Sequence, residues 1–104
     1  MADSFLEDPL GRRIVLHDRT WFGHVLKGHP EVAPFRALAE AAVLHPFEIR
    51  FSAADPDCRV YYGKGPDARL RMAVVADVGS GTVKTAYLAR KASPGGVEWS
   101  SQTH

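Results

Sequence analysis

His24 and His29 stand five residues apart in WFGHVLKGHPE, residues 21–31. Histidine is the side chain whose ordinary pKa suits proton transfer near neutrality. The pair could bind a metal, act as acid and base, or serve as polar residues near a helix end. A spacing of five is not the i, i+4 arrangement that sets two imidazoles on one helical face. No Glu follows His24 and no third ligand is evident, so no metal or other cofactor is expected.

Acid–base chemistry asks for less. A nuclease that uses the RNA 2′-hydroxyl as nucleophile needs one group to take its proton and another to protonate the leaving 5′ oxygen. Cations or hydroxyls must hold the charge on the phosphorus oxygens. His24 or His29 could fill the first or second role. Residues 59–91 carry seven Lys/Arg against Asp67 and Asp77, a balance of +5, while residues 1–50 have a balance of −1. Gathered on one sheet, those cations would form a positive face for a polyanion. They could equally be solvated charges on strand faces. Tyr61 and Tyr62 could stack on a base, or be ordinary strand tyrosines.

The elements that must position these groups follow from periodicity. RIVLH (13–17) reads as a possible strand. Asp18 or Thr20 can cap a short helix containing Trp21, Phe22, Val25 and Leu26, ended by Gly28 with Pro30 just beyond. In APFRALAEAAVLHP, Phe35, Leu38, Ala39, Ala42 and Val43 form the stripe of a core-facing helix. Pro34 suits its first turn, and Pro46 bars a helical conformation at His45. The pattern then becomes period two. Strands are predicted over 47–53, 59–63, 69–77, 82–90 and 97–99, with Gly/Pro turns between them, SPGG (93–96) among these. The expectation is α+β: two helices packed on one face of a four- to five-stranded antiparallel sheet, in a single domain over 1–104 with its core within about 13–99.

Such a sheet leaves its other face open. Alternation puts Ala86 and Leu88 toward the helices and Val83, Thr85 and Tyr87 on the open face. Leu70, Met72 and Val74 read as inward and Arg71 as outward. Trp21, Phe22, Trp99 and most Phe residues read as core. His17 and His45 read as helix-boundary residues and His104 as a tail residue. The glycines of GKG (63–65) and GSG (79–81) lack phosphate-loop spacing and read as hairpin turns.

Composition is that of a globular chain of 104 residues. The start, MADSFLEDPLGRR, is acidic and lacks the pattern of an export signal. No apolar run approaches the ~20 residues of a membrane helix. Cys58 is alone, which fits a reducing, cytoplasmic setting without disulfides.

The succession WFGHVLKGHPE, LAEAAVLHPFEIRFSAADPDCRVYY (38–62), LRMAVVADV (70–78) and TVKTAYL (82–88) resembles the phage- and mobile-element-associated nuclease domains of the barnase–EndoU–colicin–RelE class, the BECR fold. That group carries W-x-x-H-(I/V)-L-x-x-H-P-E, a helix ending at Pro, a tyrosine pair and a closing (I/V)-x-T-A-Y strand. The resemblance spans about residues 14–90. It implies a metal-independent ribonuclease, possible toxin action with an antitoxin or immunity partner, and a site containing His24, His29, Tyr61, Tyr62, Thr85 and Tyr87. His24 is then acid or base, with His29 sharing or orienting that work, and Thr85 and Tyr87 bind phosphate or stabilise its developing charge. Arg59, Arg71 and Lys84 join as substrate-binding residues on the strand-face and charge reasoning. The rivals are a non-catalytic module of the same fold that binds RNA or a protein, and a structural or regulatory protein that oligomerises through a sheet edge.

Overall fold

The computed structural model describes residues 2–103. The main apolar stripe, Phe35 to Val43, forms α2 (Arg36–Leu44), entered through a 3-10 segment (Pro30–Phe35) that contains Pro34. Ala39, Ala42 and Val43 are buried, and Phe35 and Leu38 pack against the same core. His45 leaves the helix at φ −137°, ψ 60°, as the following proline requires.

The earlier helix, α1, runs over residues 18–28. Its α-helical ends, Asp18–Thr20 and Leu26–Gly28, flank a π-helical turn at Trp21–Val25. Neither Asp18 nor Thr20 caps it through its own side chain. His17 is the flanking residue, and the Asp18 amide donates to the Asp3 carboxylate at 2.9 Å. The cap is supplied from a strand-side segment distant in sequence, which local spacing cannot reveal.

Seven strands form one sheet in the order β1-β2-β6-β5-β4-β3-β7. They are β1 (Ser4–Glu7), β2 (Arg13–Leu16), β3 (Glu48–Phe51), β4 (Cys58–Lys64), β5 (Arg71–Asp77), β6 (Thr82–Ala89) and β7 (Val97–Ser100). The expected antiparallel sheet of four to five strands is therefore replaced by a mixed sheet of seven. The hairpin β1-β2 joins β6 through the parallel pair Val15↔Thr82, with the Val15 amide donating to the Gly81 carbonyl at 2.8 Å. Gly81 permits this junction because it has φ +74°, and a Cβ there would lie 2.8 Å from the Arg13 carbonyl oxygen. The core accordingly begins at Leu6, ahead of the expected residue 13. With one inward-facing apolar residue, β1 offers no period to detect.

α2 lies across β4 and β5. It can approach closely because position 63 has no side chain: a Cβ on Gly63 would sit 2.6 Å from the Ala42 Cα. On this face Ile49, Tyr61, Met72, Val74, Ala86 and the helical residues Trp21 and Val25 form the principal core. Met72 and Val74 point inward as expected, whereas Leu70 is only half-buried and lies outside that cluster. Among the described residues no helix is long and apolar enough to cross a membrane.

The β6 alternation differs from expectation at one point. The β5–β6 register shifts between Val75↔Thr85 and Ala76↔Val83, leaving Lys84 as an extra residue. The bulge turns Val83 into the main core while Thr85 and Tyr87 keep the opposite face. That face is not wholly open. The 92–95 segment folds over it and gives a second, smaller core of Val60, Tyr62 and Ala73, with Val75, Tyr87, Ala89 and Ala92 packed against it. Phenylalanine is also mostly outside: of five, Phe5, Phe22, Phe47 and Phe51 are exposed. His104 lies outside the described residues.

Candidate active site

Only Thr82 of β6 pairs with β2, so the later part of β6 lacks a strand neighbour on that side. The π-helical turn and the 3-10 segment pack there instead. The chain between them turns at His29, at φ −137°, ψ 68°, with its amide donating to the Val25 carbonyl at 2.7 Å. Gly28 ends α1 and Pro30 opens the next turn, so His29 stands where the chain rounds the sheet edge. Its imidazole meets Tyr87, ring centroids 5.6 Å apart and planes inclined by 36°. That separation is within the range of ordinary aromatic contact. The His29 Nδ1 also lies 3.5 Å from Glu31 Oε2, too long for a strong hydrogen bond. Both side chains keep access to solvent, at 39% and 47% of their surface.

Tyr87 is half-buried beside Tyr62 and Ser93. The Tyr62 hydroxyl donates to Ser93 Oγ at 2.8 Å and accepts the Ser93 amide at 2.7 Å. Burial pushes the Tyr87 phenol above its ordinary pKa; the Ser93 hydroxyl opposes this, and Tyr62 adds to it. Tyr87 therefore remains a protonated donor at neutral pH. Beside it a cavity of about 310 Å³ opens between Val60, Val75, Tyr87, Ser93 and Pro94. Thr85 is half-exposed on the same face and pairs with Val75.

His24 behaves differently. It is exposed on the π-helical turn and has no hydrogen bond, ion pair or ring contact among the described residues. The geometry thus joins His29 and Tyr87 and leaves His24 apart from that contact. No group of three or more His, Cys, Asp or Glu able to hold a metal occurs among the described residues. Burial raises the Cys58 thiol, which disfavours its nucleophilic form.

Three expected substrate-binding residues have structural tasks. Tyr61 has no exposed surface and its hydroxyl donates to Asp8 Oδ2 at 2.6 Å, so it offers no face to a base. Tyr62 is equally covered. Arg59 faces the helix side, where its Nε donates to Glu98 Oε2 at 3.0 Å and its guanidinium lies 4.4 Å from the Phe51 ring. It is therefore committed before any phosphate arrives. Strand alternation gives no sign of this, because the partners Asp8 and Glu98 are remote in sequence. Arg71 and Lys84 remain without ion pairs among the described residues, Arg71 half-exposed and Lys84 exposed. Glu31 and Ser93 were missed as site neighbours. The only signal for Glu31 was its place two residues after His29, and Ser93 looked like a turn residue.

No family model matches the chain, and neither a curated protein nor a solved structure matches it.

Proposed function

We propose that the protein is a metal-independent endoribonuclease of BECR-like design, cleaving single-stranded RNA by attack of the 2′-hydroxyl. The observation that carries this reading is the contact between His29 and Tyr87 at the edge of β6, on the sheet face away from α2. His29 is the proton-transfer group, with the Glu31 carboxylate 3.5 Å from its Nδ1. Tyr87, kept protonated by its surroundings, donates to a non-bridging phosphate oxygen as charge builds there. His24 is the second acid–base candidate, on the preceding helical turn. Arg71 and Lys84, unpaired among the described residues, attract the backbone. Thr85 lies two residues from Tyr87 on the same face and is a further phosphate donor. If the activity is toxic, an antitoxin or immunity protein is the implied partner.

The test is cleavage of mixed single-stranded RNA in excess chelator, with products examined for 2′,3′-cyclic phosphate ends. Wild type should cleave, and His29→Ala should lose about a hundredfold or more. His24→Ala should fall by a similar factor if it is the partner acid. A folded wild type that binds RNA without cleaving it would instead establish a binding module.

A further inference from the structure

If RNA lies against this sheet, a base needs a surface that neither Tyr61 nor Tyr62 provides. Among the exposed phenylalanines, Phe51 is already covered by the Arg59 guanidinium. Phe5 borders a cavity with Glu7 and Arg13 at the far edge of the sheet. Phe47 is different. It is 47% exposed and borders two cavities that it shares with Arg71. One, of about 430 Å³, also holds Lys64, Pro66 and Leu70; the other, of about 360 Å³, holds Glu48 and Gln102. The Phe47 backbone is pinned on both sides, its amide donating to the Tyr62 carbonyl at 2.7 Å and its carbonyl accepting the Ser101 amide at 3.0 Å. The ring is thus presented from a fixed main chain.

The charges around it are unbalanced. Lys64 and Arg71 are partners in the β4–β5 register, and Arg71 pairs in turn with Ala89, just before Arg90 and Lys91. Neither Lys64 nor Arg71 makes an ion pair or side-chain hydrogen bond among the described residues. Of the nearby carboxylates, Glu48 holds Arg50 at 2.7 Å, while Asp67 lines the larger cavity and accepts the Arg69 amide at 2.8 Å inside its own loop, so the two cations outnumber the one carboxylate not matched to a cation.

We infer that Phe47, Lys64 and Arg71 form a nucleotide subsite for single-stranded RNA, with a base stacked on the Phe47 ring and a phosphate between the two cations. This rests on the RNA-directed reading above and assigns part of the substrate's path. Base–aromatic stacking is tolerant of sequence, and a guanidinium fork matches phosphate geometry. The Tyr62–Ala73–Tyr87 rung and the Lys64–Arg71–Ala89 rung are successive on one face. They are separated by about 7 Å along the strands, and Tyr87 and Lys64 by about 10 Å across them. The two components combine to about 12 Å, more than one nucleotide step, so the subsite holds a nucleotide further along the strand than the one being cut at His29.

The experiment measures binding of a labelled 2′-O-methyl RNA hexamer, which cannot be cleaved by 2′-hydroxyl attack, to wild type, Phe47→Ala, Phe47→Trp and Lys64→Ala/Arg71→Ala. Phe47→Ala should weaken binding about tenfold, while Phe47→Trp should restore it. An abasic strand of equal length should bind wild type and Phe47→Ala alike. The double variant should reduce the slope of log affinity against log salt by about one to two. Thermal melts confirm that each variant is folded. Wild-type affinity unchanged in folded Phe47→Ala would overturn the subsite and leave the nuclease reading standing. No wild-type affinity for RNA would overturn both. A concentration-dependent mass that Phe47→Ala abolishes would assign the ring to self-association and overturn the subsite.

Discussion

Tyr61 and Tyr62 are neighbours in β4 and neither has exposed surface, yet their hydroxyls enter different chemistry. On the helix-covered face, Tyr61 donates to Asp8, which accepts Arg12 Nε at 2.7 Å; Arg12 grips Glu98 through both terminal nitrogens, at 3.1 and 2.6 Å, and Glu98 holds Arg59. Each charge has an opposite charge against it, and the network ties the β1-β2 loop to β4 and β7. On the other face, the Tyr62 hydroxyl binds the hydroxyl and amide of Ser93, and Tyr87 beside it is in contact with a solvent-accessible imidazole. Closed ionic pairing makes the first face a structural clamp. The second combines a neutral, half-buried donor with an imidazole, and cations unpaired among the described residues lie at its end. The difference shows that residue type alone does not mark a functional arginine or tyrosine; what matters is whether its partner is already present.

The contrast can be broken most forcefully at Asp8. Its side chain is fully covered, so Asp8→Asn leaves Arg12 and the Tyr61 hydroxyl poorly matched. The expected loss is about 4 kcal/mol, read as a lower urea midpoint with an unchanged slope. Gly63→Ala should cost about 2 kcal/mol through its clash with Ala42. A value near zero would mean that α2 shifts freely on the sheet. Tyr62→Phe should cost about 1 kcal/mol by leaving the Ser93 amide without its acceptor, and it should alter RNA cleavage where Asp8→Asn does not. Lys84→Ala, at the exposed bulge, should change stability by no more than about 0.5 kcal/mol.

The clamp also sets an acid limit. Burial pushes the Asp8 and Glu98 carboxyls upward, but hydrogen bonds from Tyr61 and Arg12 to Asp8, and from Arg12 and Arg59 to Glu98, outweigh it. Both therefore sit below their ordinary values of 3.8 and 4.5. A carboxyl depressed in the folded state contributes its full stability above its unfolded pKa and loses it as pH falls through the folded one. Stability from these groups should hold down to about pH 5 and decline below. Asp8→Asn should flatten that decline in urea titrations; an unchanged acid limb would place its cause elsewhere.

Much of the positioning was legible in the sequence. The apolar stripe at 35–43, the break at Pro46 and the inward Ala86 and Leu88 follow from local geometry, and each is found in place. So is the outward pair Thr85 and Tyr87, although the extra residue Lys84 turns Val83 inward. A bulge changes alternation without any composition signal, because either neighbour of Lys84 suits a strand. The commitment of Arg59 and Tyr61 was illegible for a related reason: Tyr61 meets a carboxylate 53 positions away and Arg59 one 39 positions away.

By itself the sequence determined the α+β class, the two helices, the hairpin strands and their turns, and the candidates from which a site could be drawn. These depend on periods of two and 3.6 and on Gly and Pro conformations, all fixed within a few residues. Only the tertiary structure decided that β1 joins the sheet, that residues 92–95 fold over part of its second face, and that His29 reaches Tyr87 while His24 does not. Those outcomes depend on which distant segments bury one another's apolar surface and satisfy one another's charges, and one-dimensional spacing carries no record of that.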